Sequence, residues 1–234
     1  MAGARRWTGT RLTRRAAATG LLGGSFNPAH GGHRAISLLA IDALALDELW
    51  WLVSPGNPLK SGKNMAPLPA RLASAQQMAR RSKIKASAIE TVLGTRYTID
   101  TLRALTRRYP NRRFIWIMGA DNLRNFHQWK QYRDIARILP IAVIARPGYG
   151  KRVVASRAMA WLRRFVRPAS QRYRWTDWSL PALTFLRFTP DFRSATAVRS
   201  ANPDWYRASL SLPFRDPLTR RLITPENPET QEHS

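Results

Sequence analysis

The sequence predicts an α/β fold built on one doubly wound parallel sheet. Three observations predict it. Short apolar runs alternate with stretches of helical periodicity from about Thr19 to Phe188. The glycines, prolines and asparagines that break the chain fall mostly just after the apolar runs. No internal repeat at solenoid periods is present. Strands that alternate with helices of this length imply a parallel sheet covered on both faces. Ligands of such Rossmann-like sheets bind beyond the carboxyl ends of the strands, where the strand order reverses.

The elements follow in order. Thr19–Gly24 is a short apolar run closed by glycines, as expected of a buried first strand. Ile36, Leu39, Ala40 and Ala43 lie at helical spacing within a helix predicted over Gly32–Leu46. Glu48–Val53 reads as the second strand and Ser54–Pro58 as a loop. A helix over Pro69–Arg81, a strand over Ile84–Ile89 and a helix over Thr98–Tyr109 follow. Arg113–Met118 is the clearest core strand, and Gly119–Asn122 follows it at once. A helix over Tyr132–Leu139 leads into a strand over Ile141–Ala145. Lys151–Arg174 holds eight basic residues and no acid, with Trp161 and Phe165 among them, and reads as an amphipathic basic helix lying on the domain. Ala182–Phe188 is the last strand, and Ser194–Ala201 opens a small C-terminal helical part. Residues 1–18 read as a basic tail, 19–222 as one domain, and 223–234 as a polar tail, both tails being expected to be disordered.

Composition narrows the chemistry. The 234 residues are 44% hydrophobic and 23% charged, enough apolar material for a sizeable core. The absence of cysteine excludes disulfides, cysteine-ligated zinc and a cysteine nucleophile, and it fits a reducing compartment such as the cytoplasm. No apolar run approaches the roughly 18 residues of a membrane span. Lys plus Arg outnumber Asp plus Glu by 39 to 14, a formal charge of +25. Nucleic acid, acidic membranes and phosphorylated small molecules are all partners that such a balance suits. A generally basic surface accounts for it equally well.

The segment Gly24-Ser25-Phe26-Asn27-Pro28-Ala29-His30-Gly31-Gly32-His33 carries the most chemistry. It lies between a buried strand and a helix start. Glycines there let main-chain amides approach an anion, and the helix N-terminus adds a positive field. His30 and His33, three residues apart, share one face if the helix begins near His30. Two imidazoles so placed can donate to phosphate oxygens and to charge developing at phosphorus. A lone histidine would read as an ordinary surface or core residue, but two of the chain's four stand in this one loop. A zinc site would need a third ligand, and none is nearby.

This segment resembles the signature Gly-x-Phe-(Asp/Asn)-Pro-x-His-x-Gly-His of the HxGH nucleotidyltransferases. Four further stretches resemble the bacterial nicotinate-nucleotide adenylyltransferase family within that superfamily: Ser54–Lys60, Arg96–Leu102, Met118–Asn122 with Phe126, His127 and Trp129, and Ser194–Arg199. The likeness spans about residues 19–204. The last stretch departs from the family's Ser-(Ser/Thr)-Thr pattern, because Ala195 replaces the middle hydroxyl.

The resemblance implies a nucleotidyltransferase fold and a reaction that needs no protein nucleophile. The 5′-phosphate of nicotinate mononucleotide would attack the α-phosphorus of ATP, and pyrophosphate would leave. It implies that His30, His33 and Arg199 stabilise the transferring phosphate. ATP would meet Gly24, Ser25, Phe26, Asn27, His30, His33, Gly119, Asp121, Ser194, Thr196 and Arg199. The mononucleotide would meet Asn57, Lys60, Thr98 and Trp129. Mg²⁺ would arrive with ATP, with no metal site built from protein residues.

The residues alone leave blander roles open. Ser194 and Thr196 could cap a helix beside a surface Arg199. Asp121 could cap a helical turn from Asn122, and Thr98 could cap the helix after it. Trp129 could be a packing residue and Lys60 a solvated one. Nicotinamide mononucleotide or phosphopantetheine are alternative acceptors. An RNA-binding role is the alternative from a different class, resting on charge and on Lys151–Arg174.

Overall fold

The computed structural model describes residues 15–56, 65–145, 155–188, 202, 204–208 and 213–224. Strand β1 (Ala17–Gly24) leads into α1 (Gly31–Ala43), and β2 (Glu48–Val53) follows. Next come α2 (Leu68–Ala79), β3 (Ile84–Ser87), α3 (Ile89–Leu93) and α4 (Thr98–Arg108). Then β4 (Arg112–Gly119) runs directly into α5 (Ala120–Asn125), with α6 (Tyr132–Ile138) and β5 (Ile141–Ala145) after it. The rest comprises α7 (Arg157–Leu162), β6 (Leu183–Arg187), α8 (Trp205–Ala208), and the strand pair β7 (Phe214–Arg215) and β8 (Leu222–Ile223).

The main sheet has the order β3-β2-β1-β4-β5-β6, and each neighbouring pair is parallel. The order reverses between β1 and β4, so the loops after these two strands flank the switch point. Successive residues of each strand face opposite sides. Leu22, Trp51, Ile117 and Ala142 join the core beneath α1 and α2. Leu21, Trp50, Trp116 and Val143 join the core beneath α4, α5, α6 and α7. Continuous apolar strands are what a sheet covered on both faces requires.

Glu48 at the start of β2 ties the edge of this sheet together. Lys85 and Arg112 both reach its carboxylate. Arg112 also donates to Thr19 Oγ1 at 3.0 Å and lies over the Trp50 ring at 5.0 Å. Burial works against ionising Glu48, but hydrogen bonds from Lys85 and Trp50 and the charges of Arg112 and Lys85 win, so its pKa falls below the usual value.

Four expectations need correction. Ala182–Phe188 is not the last strand, because the antiparallel pair β7 and β8 follows it. The strand from Ile84 stops at Ser87 rather than Ile89, because Asp216 accepts from Ser87 Oγ and the Ala88 N–H, both at 2.9 Å, and α3 begins at once. Thr98 does not cap α4. Tyr97 holds the cap position without a side-chain bond, and Thr98 is the first helical residue. The basic stretch is not one amphipathic helix. Its residues 151–154 lie outside the described chain, and α7 covers only six residues.

Pro168 has no N–H to continue a helix, and the Arg167 N–H instead donates to Leu183 O at 2.7 Å, joining the chain to the sheet edge. A run of 3₁₀ turns, Ala169–Asp177, then crosses to the other face. There Trp175 Nε1 donates to Leu44 O at 2.9 Å and Arg172 Nε donates to Ala43 O at 3.1 Å, satisfying carbonyls at the end of α1. Trp161 is also engaged, packed edge-on against Tyr132 and Phe165 and flanked by Arg133 and Arg137. Among the described residues no helix is long and apolar enough to cross a membrane.

Candidate active site

The loop after β1 is anchored by an aromatic ring. Phe26 is buried, with a backbone φ of +46° that bulky residues rarely adopt. Such a conformation costs about 1–3 kcal/mol. Full burial of the ring is worth about 2–3 kcal/mol and offsets it. The ring stacks on Trp51 at 4.9 Å and meets His33 at 4.8 Å. Trp51 Nε1 in turn donates to Ser37 Oγ, and Ser37 Oγ donates to His33 O, both at 2.8 Å. The loop, the first turns of α1 and β2 are therefore one packed unit.

His30 and His33 meet at the start of α1. His30 is the N-cap, and its Nδ1 accepts from the Gly32 N–H at 3.1 Å. His33 Nδ1 accepts from the His30 N–H at 3.2 Å. This is the reciprocal arrangement of a capping box, made by two imidazoles instead of a hydroxyl and a carboxylate. The ring centroids are 3.9 Å apart. A ring nitrogen that accepts carries no proton, so each neutral imidazole carries its proton on Nε2. The helix N-terminus and two Nε2–H donors then lie together at the carboxyl edge of the sheet.

Gly119, at the end of β4, lies across the switch point from Gly24. It is the N-cap of α5, and Asp121 stands in the first turn rather than capping a turn from Asn122. The Asp121 carboxylate folds back over Gly119, so closely that a Cβ there would sit 2.3 Å from Oδ1. Thr98 and Trp129 lie on neighbouring segments. Lys130 bridges them, with Nζ 3.1 Å from Asp100 Oδ2 and 4.5 Å from the centre of the Tyr97 ring. Trp129 packs edge-on against Phe126 and Trp116. Trp116 Nε1 is buried and finds no hydrogen-bond partner among the described residues. Asn57, Lys60, Ser194, Thr196 and Arg199 lie outside the described residues.

Two buried polar groups, Arg71 and Asp216, and one half-buried carboxylate, Glu90, escaped the sequence reading. Arg71 on α2 donates to main-chain carbonyls of three segments, Ser25, Ser54 with Pro55, and Ala66. A charged residue among Ala70, Leu72 and Ala75 on the buried side of a helix was the available signal. Asp216 pins the β7–β8 pair to the end of β3. Glu90 accepts from Thr101 Oγ1 at 3.0 Å, and Thr101 meets Thr95 Oγ1 at 2.9 Å. Burial raises the Glu90 pKa to about 7, against the opposing effect of that bond.

Residues 21–201 match the cytidylyltransferase-like family. A protein of Erythrobacter litoralis named "Probable nicotinate-nucleotide adenylyltransferase" is 61% identical over 88% of this chain and 94% of its own length. The chain belongs to the nicotinate-nucleotide adenylyltransferase family. A second relative of that name, from Parvibaculum lavamentivorans, is 50% identical over 77% of this chain and 90% of its own length. In fold, the chain is similar to Plasmodium falciparum nicotinic acid mononucleotide adenylyltransferase complexed with NaAD. The TM-score is 0.57 with 15% identity, covering 79% of this chain and 83% of that one. Within the family's nucleotidyltransferase fold, His30 and His33 occupy the edge where the strand order reverses.

Proposed function

We propose that the protein transfers the adenylyl group of ATP to nicotinate mononucleotide, forming nicotinate adenine dinucleotide and pyrophosphate. The observation that carries this reading is the pair of imidazoles locked at the start of α1 beside the switch point. Family membership supplies the acceptor. A 5′-phosphate oxygen of the mononucleotide forms a bond to the α-phosphorus while the bond to the bridging β-phosphate oxygen breaks, and pyrophosphate departs with that electron pair. No protein nucleophile is needed. The protein holds two polyanions in line and stabilises charge at the transferring phosphorus.

In this reading the Nε2–H groups of His30 and His33, with Arg199, meet the transferring phosphate. The main chain from Gly24 to Asn27, together with Gly119, Asp121, Ser194 and Thr196, holds ATP. Asn57, Lys60, Thr98 and Trp129 hold the mononucleotide, with the Trp129 ring against the pyridine. Among the described residues no group of three His, Asp or Glu side chains is placed to hold a cation. The Mg²⁺ that accompanies ATP would be carried by phosphate oxygens and water. The reading places the enzyme in the cytoplasm.

Pyrophosphate release from ATP, with nicotinate or nicotinamide mononucleotide as acceptor, tests it. A strong preference for the nicotinate form is expected. Equal rates would keep the chemistry and overturn the acceptor. Folded protein that releases none with either would overturn the proposal.

A further inference from the structure

Arg71 is 1% exposed, yet no carboxylate pairs with it among the described residues. Its partners are carbonyl oxygens. Nη1 donates to Ser25 O at 2.8 Å and to Ser54 O at 2.7 Å. Nη2 donates to Pro55 O at 3.3 Å, and Nε donates to Ala66 O at 2.8 Å. Asn27 Oδ1 accepts from the Ala66 N–H at 3.2 Å, so Ala66 is held by the loop after β1 through its N–H and by Arg71 through its carbonyl. The planar fork therefore spans the loop that leads to His30, the loop after β2 and the approach to α2. Burial lowers the guanidinium pKa to about 10, which leaves it charged at neutral pH.

A merely structural residue in this place could be apolar, since an unpaired buried cation is costly. The geometry offers a reason for an arginine. Four donors in one rigid plane fix the relative positions of two loops that the sheet ladder joins only at their starts, through the Ser54 N–H to Gly24 O at 3.0 Å. One of these loops belongs to the ATP side and the other to the mononucleotide side of the proposed site. We infer that Arg71 is a positioning residue that holds the ATP loop and the mononucleotide loop in a single register. The inference rests on the function proposed above for its substrate names, but not for the loop geometry.

Two variants test it, Arg71→Lys and Arg71→Gln. Lysine keeps the charge but donates from one point, so it cannot span three segments. Glutamine removes the charge as well. Both are assayed for pyrophosphate release with ATP and nicotinate mononucleotide, and both are followed by amide hydrogen exchange.

For Arg71→Lys, KM should rise for both substrates together, and kcat/KM should fall about 100-fold, the scale of an ångström-sized misplacement. Exchange should quicken at Ser25–His30 and at Ser54–Gly56 and leave β4 and β5 unchanged. Arg71→Gln should show the same pattern more strongly. The inference is overturned if KM stays normal for both substrates while Vmax merely tracks the folded fraction. It is equally overturned if only one loop exchanges faster, or if neither variant folds. If wild-type protein proves inactive with these substrates, the functional reading fails, and the exchange pattern alone still decides the role of Arg71.

Discussion

His33 Nδ1 accepts the main-chain N–H of His30, while His30 Nδ1 accepts the main-chain N–H of Gly32. The two rings thus serve the helix with one nitrogen each and fix the tautomer that puts a donor on the other. Capping and the proposed phosphate chemistry are separable by substitution. Asparagine caps a helix about as well as any residue but cannot place a donor where Nε2 stands. His30→Asn is expected to keep stability within about 1 kcal/mol and to lower turnover by about 100-fold or more, the scale of losing a donor to a developing charge. His33→Ala should lower turnover similarly with little loss of fold. Steady-state pyrophosphate release and thermal melts check both, and near-normal turnover in either variant would remove that imidazole from the chemistry.

A second test concerns Gly119, over which the Asp121 carboxylate folds. A methyl group added there would meet only the end of an exposed, flexible side chain. Gly119→Ala should therefore leave the melting temperature within a few degrees and swing Asp121 out of place. If Asp121 accepts from the nucleotide, KM for ATP should rise several-fold, and KM for the mononucleotide should not. Equal rises in both would place Asp121 outside the ATP site.

The parts of the fold that were legible in the sequence are those set by neighbouring residues. Leu21 and Leu22, or Trp50 and Trp51, report a buried strand because both faces of it are apolar. The Gly24–His33 segment reports a strand-to-helix turn because its residue types suit that turn and little else. What stayed hidden depends on partners far along the chain. Arg71 reaches back 46 residues to Ser25, and Asp216 reaches back 129 to Ser87. Neither bond leaves a periodic trace. The basic stretch misled for a related reason: charge pattern suggested an exposed helix face, while Leu183 captures Arg167 and Ala43 captures Arg172.

Trp129 separates packing from recognition. Its ring meets Phe126 and Trp116 edge-on, so Trp129→Ala will cost some stability whatever else it does. Trp129→Phe keeps an aromatic contact and should fold normally. A stacked base is worth about 1–3 kcal/mol by alanine substitution, so the alanine variant should raise KM for nicotinate mononucleotide by about 5- to 150-fold. The phenylalanine variant should show a smaller rise, and KM for ATP should be nearly unchanged in both. Titration of the mononucleotide at saturating ATP gives the answer, and a KM unchanged by Trp129→Ala would leave the ring a packing residue only.

Glu90 makes stability depend on pH. Its carboxyl is held near a pKa of about 7 by burial, above an ordinary value of 4.5. The folded protein thus keeps a proton that the unfolded chain gives up. The stability this contributes is fully present below pH 4.5 and is lost as pH rises through about 7. At roughly 1.4 kcal/mol per pKa unit, ionising the group within the fold costs up to about 3 kcal/mol. Glu90→Gln keeps the shape and the bond to Thr101 but cannot ionise. The variant should match the wild type at pH 4.5 and melt several degrees higher at pH 8. The gain should develop across pH 5 to 7.5, where the folded and unfolded titrations diverge. Thermal melts of both proteins across that range decide it. Curves that stay parallel would show that Glu90 titrates in the fold as it does in the unfolded chain and that its carboxylate is better solvated than its burial implies.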